Sequence, residues 1–327
     1  MREMIIKFLK SNSDDFVSGE SIANKLGISR AAVWKHIQQL RKSGYNILSR
    51  ENCGYKLEST PDILLPNEIQ TGLNTKIIGK NIIHYDSIDS TSRAAKEMAR
   101  SGAADGTVIV AEVQSDGKGR LGRSYFAPKY KNILFSVILR PKFLPNEAPK
   151  CTLMAAVAVA NAMIKFNLQP GIKWPNDIMF DNRKVVGILT ELSAEMSKIN
   201  YIVVGTGINV NVRRSEFPAE LQNIAASLYE MNDNNNISRL DFFKTVLEEF
   251  DKIYIDVNNN GFDNMFDQWR KYNITLGKHI RVIPAGSNDE FAAIAEDIDA
   301  DGALIVKTST GLEKVYAGDV SIRETKI

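Results

Sequence analysis

The stretch Gly117-Lys118-Gly119-Arg120-Leu121-Gly122-Arg123 alternates three glycines with three cations, and Asp116 leads into it. Glycine lets a backbone come close to a ligand and tolerates positive φ. Consecutive exposed N–H groups in such a loop form an anion-binding concavity. Lysine and arginine add full positive charge, and a guanidinium can grip a phosphate or carboxylate with two parallel bonds. The chemistry on offer is therefore the holding of an anion. The stretch is not a Walker loop, because Gly-x-x-x-x-Gly-Lys-Ser/Thr is missing. Apolar runs at residues 107–113 and 132–139 flank it and read as buried strands. The loop thus joins two core strands.

Two further stretches stand downstream. One is Lys173-Trp174-Pro175-Asn176-Asp177 followed by Arg183-Lys184-Val185-Val186-Gly187-Ile188-Leu189, and the other is the turn-like Gly205-Thr206-Gly207-Ile208-Asn209. In this order the three resemble the biotin–protein ligases, and the N-terminus resembles the bifunctional ligase/repressor class of that family. The resemblance spans essentially the whole chain. It implies two steps: biotin's carboxylate attacks the α-phosphate of ATP, and a lysine of a biotin carboxyl carrier domain then takes the biotinyl group from biotinyl-5′-AMP. Neither step needs an enzyme nucleophile.

The same resemblance assigns residues. Lys184, Arg120 and Arg123 are expected to stabilise developing charge. Biotin is expected against Ser90, Thr91, Ser92, Gln114, Lys118, Gly119, Arg120, Lys184 and Gly187. The adenylate and ATP are expected against Gly117, Lys118, Arg120, Arg123, Asn176 and Asn209. Asp177 is a candidate for Mg²⁺, or for orienting the incoming amine, or for a plain turn cap. This chain departs from the family at Ser92, where an asparagine is usual, at Lys118, where an arginine is usual, and at Tyr125, where a tryptophan is usual. Ser90 also reads as an ordinary helix cap, and both roles can hold at one helix N-terminus.

Positioning these residues takes an α+β fold: sheet and helices in separate runs. Strands are expected near residues 172–180, 184–192 and 201–210, and helices at 150–166, 238–255 and 262–272. Asparagine runs at 233–236 and 258–260 read as loops. Residues 1–63 read as a winged helix-turn-helix. Gly27 makes the turn, Ser29 caps the next helix, and Ser29, Arg30, Lys35 and His36 are its candidate DNA contacts. A hairpin around residues 51–54 is the wing, and Thr60-Pro61-Asp62 marks a boundary. Residues 64–273 would form the ligase domain, of the class II aminoacyl-tRNA synthetase/biotin ligase type by resemblance. Short alternating strands over 274–327, with turns at 285–288, 299–302 and 308–311, suit an SH3-like β-barrel.

Composition narrows the partners. Residues 1–63 hold ten Lys/Arg against seven Asp/Glu, or +3, and residues 64–327 hold the other thirty-one against thirty-two, or −1. The basic excess sits where a polyanion would bind. Cys53 and Cys151 lie far apart without metal spacing, so thiols in a reducing cytoplasm are expected. Three histidines make a histidine metal site or triad a poor reading. No run approaches the ~18 apolar residues of a membrane span, and Met1-Arg2-Glu3-Met4-Ile5-Ile6-Lys7 lacks a signal-peptide core. Operator DNA, a carrier domain and an adenylate-promoted homodimer are the expected partners. The alternatives are a regulator that only senses a biotin-like ligand and a lipoate ligase-like enzyme.

Overall fold

Serine caps start two of the N-terminal helices. The computed structural model describes every residue except Ser43, Asn52, Pro61, 123–124, 196–197, 285–289, 318–319 and 325–327. Contacts group the chain into Met1–Ile63 and Leu64–Ile327. In the first unit, α1 (Arg2–Lys10) buries Ile5, Ile6 and Leu9. Ser18 Oγ accepts a bond from Ser21 N at 3.0 Å and starts α2 (Gly19–Leu26). Gly27 ends that helix at φ 65°, a left-handed position suited to glycine. Ser29 Oγ accepts from Ala32 N at 3.2 Å and starts α3 (Arg30–Lys42), which buries Val33, Ile37 and Leu40 at helical spacing. Strands β1 (Asn46–Arg50) and β2 (Gly54–Ser59) then pair antiparallel as a hairpin. The turns expected at residues 285–288 and, in part, at 51–54 and 60–62 lie outside the described residues.

The second unit runs α4 (Pro66–Gln70), β3 (Ile82–Tyr85), α5 (Thr91–Arg100), β4 (Val108–Ala111), β5 (Asn132–Leu139) and α6 (Lys150–Lys165). It continues through β6 (Gly171–Lys173), β7 (Asp177–Phe180), β8 (Arg183–Glu195) and β9 (Lys198–Asn209). Helices α7 (Leu228–Met231), α8 (Arg239–Asn260) and α9 (Asp263–Tyr272) follow. Last come β10 (His279–Pro284), β11 (Phe291–Ile298), β12 (Leu304–Lys307), β13 (Leu312–Val315) and β14 (Val320–Glu324). One seven-stranded sheet has the order β3-β4-β5-β9-β8-β7-β6, and a five-stranded sheet has the order β13-β12-β11-β10-β14. Among the described strand pairs only β3–β4 is parallel.

All eight residues of β5 are buried, because helices cover both faces of its sheet. Ile133, Phe135, Val137 and Leu139 point into a core shared with α6 and α8. Ile138 points the other way, into a smaller core under α5. Among the described residues no helix is long and apolar enough to cross a membrane.

Two expectations need correction. The strand expected near residues 172–180 is two strands, β6 and β7. Trp174 between them is buried, and its N donates to Thr275 Oγ1 at 2.9 Å and its Nε1 to the Gly302 carbonyl at 3.1 Å. An anchored indole turns the chain there. The run Asn258-Asn259-Asn260 is not a loop but the last turn of α8. Asn258 Nδ2 donates back to the Tyr254 carbonyl at 2.8 Å and Asn260 Nδ2 to the Asp256 carboxylate at 2.6 Å. These bonds close the helix end.

The unit also carries a buried ion pair. Arg239 Nη2 lies 2.6 Å from Glu112 Oε2, and both side chains are fully buried. Leu64 N donates to the other Glu112 oxygen at 2.8 Å. Burial alone would raise the Glu112 pKa, but His84 and Arg239 outweigh it and hold the carboxyl below its ordinary 4.5. That contribution to stability is complete above pH 4.5 and is lost as pH falls through the lower folded value. Glu112→Gln should cost about 3–5 kcal/mol at neutral pH, because it strands a buried guanidinium. Urea melts at several pH values check this. The variant should also lose part of the acid dependence, and an unchanged acid limb would contradict the assignment.

Candidate functional site

The site forms where α5 begins, on the α5 side of the large sheet. Ser90 caps the helix, its Oγ accepting from Arg93 N at 3.4 Å. Thr91 N and Oγ1 donate to Gln114 Oε1 at 2.7 and 3.1 Å. Ser136 Oγ donates to Thr91 Oγ1 at 2.9 Å and lies 3.1 Å from Ser92 Oγ. A helix N-terminus surrounded by hydroxyls suits a polar ligand.

The floor is β9. Gly205 and Gly207 are strand residues, not the turn expected, and their role is close approach. A Cβ on Gly205 would lie 2.5 Å from Ser92 Oγ, and one on Gly207 would lie 2.7 Å from the Tyr125 ring. Tyr125 OH donates to Asn209 Oδ1 at 2.9 Å, which also accepts from Asn132 Nδ2 at 3.1 Å. Asn209 Nδ2 donates to the Ala226 carbonyl at 2.9 Å. Both ends of the Asn209 amide therefore serve to fix Tyr125 and its surroundings. Burial, and then the charge of Asp177, push the Tyr125 phenol far above its ordinary range, so it remains a donor.

The glycine loop is anchored at its entry. Ser115 N and Asp116 N donate to the carbonyls of Ile88 and Asp89, each at 2.9 Å. The Arg93 guanidinium lies 2.7 Å from Asp116 and, with Lys118, holds that carboxyl below its usual range. Arg120 donates to Asn176 Oδ1 at 3.1 Å and to the Ala317 carbonyl. Asn176 is itself fixed, since its Nδ2 donates to the Ile188 carbonyl at 2.9 Å.

Lys184 comes from the β7–β8 hairpin. Asp181 and Asn182 turn it at φ 47° and 59°, the paired left-handed conformation of a tight hairpin. Lys184 Nζ then lies 2.6 Å from Asp177 Oδ1. A Cβ on Gly187 would sit 2.7 Å from Lys184 Cε. Gly187 thus leaves room for the lysine, where the sequence suggests room for a ligand.

Two cavities meet here. A narrow cleft of about 50 Å³ runs between the start of α5 and β9, and a chamber of about 330 Å³ opens beyond it. Gly119, Arg120, Tyr125, Asn176 and Lys184 border both. Ser90, Thr91, Ser92, Gln114, Lys118 and Gly187 border the cleft, and Asp177 and Asn209 border the chamber. Gly117 stands back against Gln114. Arg123 lies outside the described residues. The chamber's apolar wall, with Phe126, Phe217, Leu221 and Ile224, escaped the sequence reading. Phe217 to Ile224 lie outside any regular helix or strand, so no periodicity marks them. Ser136 and Ala317 also escaped it: one is a polar residue inside a mostly apolar strand and the other acts through its backbone.

In the N-terminal unit, Ser29, Arg30 and Lys35 are exposed at the start of α3. His36 is half-buried, with its Nδ1 buried, on the flank nearer the core.

A mixed-sheet ligase fold behind a helix-turn-helix is the class these features define. Residues 85–209 match the Biotin/lipoate A/B protein ligase family, residues 2–56 an HTH domain, and residues 275–323 the Biotin protein ligase C terminal domain. The bifunctional ligase/repressor BirA of Bacillus spizizenii is 37% identical over 323 residues, covering 98% of each chain. That of Bacillus subtilis is 36% identical over the same span. Among solved structures, a biotin protein ligase from Aquifex aeolicus in complex with biotin and ATP superposes with a TM-score of 0.65 at 26% identity, covering 75% of this chain and all of that one. The chain belongs to the bifunctional ligase/repressor family.

Gly207→Ala tests the floor. The added methyl has to displace the half-buried Tyr125 ring, an overpacking cost of about 1–3 kcal/mol. Urea melts should show that loss of stability, and an unchanged midpoint would contradict the packing of Tyr125 over β9.

Proposed function

We propose that the protein is an ATP-dependent biotin–protein ligase that also represses transcription in response to its own adenylate. It forms biotinyl-5′-AMP and pyrophosphate, then transfers biotin to a lysine of a biotin carboxyl carrier domain. The observation that carries this reading is the joint between the cavities, where Lys184 and Arg120 border both. The cleft takes biotin, with the ureido ring among the hydroxyls of Ser90, Thr91 and Ser92 and its carboxylate toward Lys184. The chamber takes the nucleotide, with adenine on the apolar wall. A carboxylate oxygen attacks the α-phosphorus and the bond to pyrophosphate breaks. Two anions must approach, so positioning and fixed positive charge lower the barrier. In the second step the carrier amine attacks the acyl carbon and AMP leaves, with Asp177 the carboxylate best placed to orient the amine.

Mg²⁺ would neutralise the phosphates. Among the described residues no three His, Cys, Asp or Glu side chains converge on one point. Asp177 would then be its protein neighbour, with the remaining ligands from phosphate and water.

The large sheet is read as the class II aminoacyl-tRNA synthetase/biotin ligase type, occupying residues 64–273. The all-antiparallel sheet β13-β12-β11-β10-β14 supports reading 274–327 as an SH3-like barrel. Operator DNA meets Ser29, Arg30 and Lys35, and repression uses a homodimer of the adenylate-bound form. Strand β8 supports this: past Gly187, the edge opposite β9 has no strand partner among the described residues, and Leu192 there is 46% exposed. Such an edge accepts another strand. ATP, carrier domain and operator together place the work in the cytoplasm.

Lys184→Ala should slow single-turnover pyrophosphate release ~100-fold or more, since a charge at a developing anion is worth roughly 3–4 kcal/mol. A near-normal rate would remove Lys184 from the mechanism. Sedimentation with and without biotinyl-5′-AMP tests the repressor half. A shift to dimer is expected, and a dimer fraction indifferent to adenylate would leave only the enzyme. Labelled lipoate in place of biotin should give no adenylate.

A further inference from the structure

The chain has three tryptophans, and their surroundings differ sharply. Trp174 and Trp269 are 1% and 0% exposed, whereas Trp34 is 57% exposed. Trp34 lies on α3, one turn after Arg30 and one turn before Gln38. Val33, Ile37 and Leu40 carry another side of that helix into the core. Arg30, Ala31 and Lys35 are exposed on the same strip as Trp34, and α3 contains no Asp or Glu anywhere along its length. An indole is a large apolar body, and leaving it in water forgoes stabilisation that burial would supply. The core does not use it, so a partner is the remaining cover. The charge beside it selects a polyanion as that partner. Along the major groove a duplex offers one apolar group, the C5 methyl of thymine.

We infer that Trp34 determines sequence specificity in the DNA contact. Its ring packs on a thymine methyl while Arg30 and Lys35 hold the phosphates. The inference rests on the DNA-binding reading above and adds to it a base that must be read.

Because the other two tryptophans are buried, acrylamide quenching of the full-length protein's fluorescence reports on Trp34. The probe is a duplex selected from a randomised library by the wild-type protein in the presence of biotin and ATP. Quenching should fall when this duplex is added. Trp34→Ala should weaken binding to the selected duplex roughly ten-fold, the size of one lost base contact, and leave binding to an unselected duplex unchanged. Uracil in place of one thymine should weaken the wild type by a similar factor and the variant not at all. Lys35→Ala should weaken both duplexes and reduce the salt dependence. If Trp34→Ala binds the selected duplex as tightly as wild type, and no thymine-to-uracil change matters, the assignment is overturned and the DNA-binding reading stands. If the wild type selects no duplex, both fall together.

Discussion

The ion pair between Lys184 and Asp177, 2.6 Å apart, sits where two cavities meet, and much of the Leu64–Ile327 unit is arranged to keep it there. A lysine is a flexible point charge, so its position depends on the backbone that carries it. The hairpin turn at Asp181 and Asn182 fixes the β7–β8 register, in which Asp177 lies opposite Gly187. A Cβ at Gly187 would lie 2.7 Å from Lys184 Cε, so the end of the lysine would have to move. Asp177 supplies the counter-charge to Lys184.

The second cation is held differently. Arg120 donates to the Asn176 amide oxygen and to the Ala317 carbonyl. The small C-terminal sheet thereby becomes part of the site's support, and Trp174, whose Nε1 donates to Gly302, ties the same two regions together. Behind the cleft runs a buried polar chain. Leu64 N reaches Glu112, Glu112 pairs with Arg239, and Arg239 Nε donates to the Asn132 carbonyl at 2.9 Å. Asn132 reaches Asn209, and Asn209 accepts from Tyr125 over the cleft. Low dielectric makes each member costly to lose, which keeps the roof of the cleft fixed to the core.

How much of this was legible in the sequence depended on the range of the forces involved. Caps and turns act within a few residues, so Gly27 and Ser29 were readable. The mostly apolar run of β5 announced a buried strand. The glycine loop, Lys184 and the Ser90–Ser92 run could be brought together only through the family resemblance, since no local rule joins β8 to α5. Gly205 and Gly207 were recognised as notable and given the wrong reason, because a glycine kept for close approach looks the same in sequence as one kept for positive φ. The same limit misread Asn258–Asn260, where side-chain bonds back along α8 overrode a loop-like composition. The Arg120–Ala317 bond had no sequence signal at all, since its acceptor is backbone.

On the proposed mechanism the two cavities form one continuous site in which a carboxylate is adenylated beside Lys184 and Arg120. Native mass spectrometry of the full-length protein after incubation with biotin, ATP and Mg²⁺ tests it most directly. One retained biotinyl-5′-AMP per chain, with pyrophosphate released in equal amount, is the expected result. Retention of unreacted biotin and ATP side by side, with no adenylate formed, would contradict it.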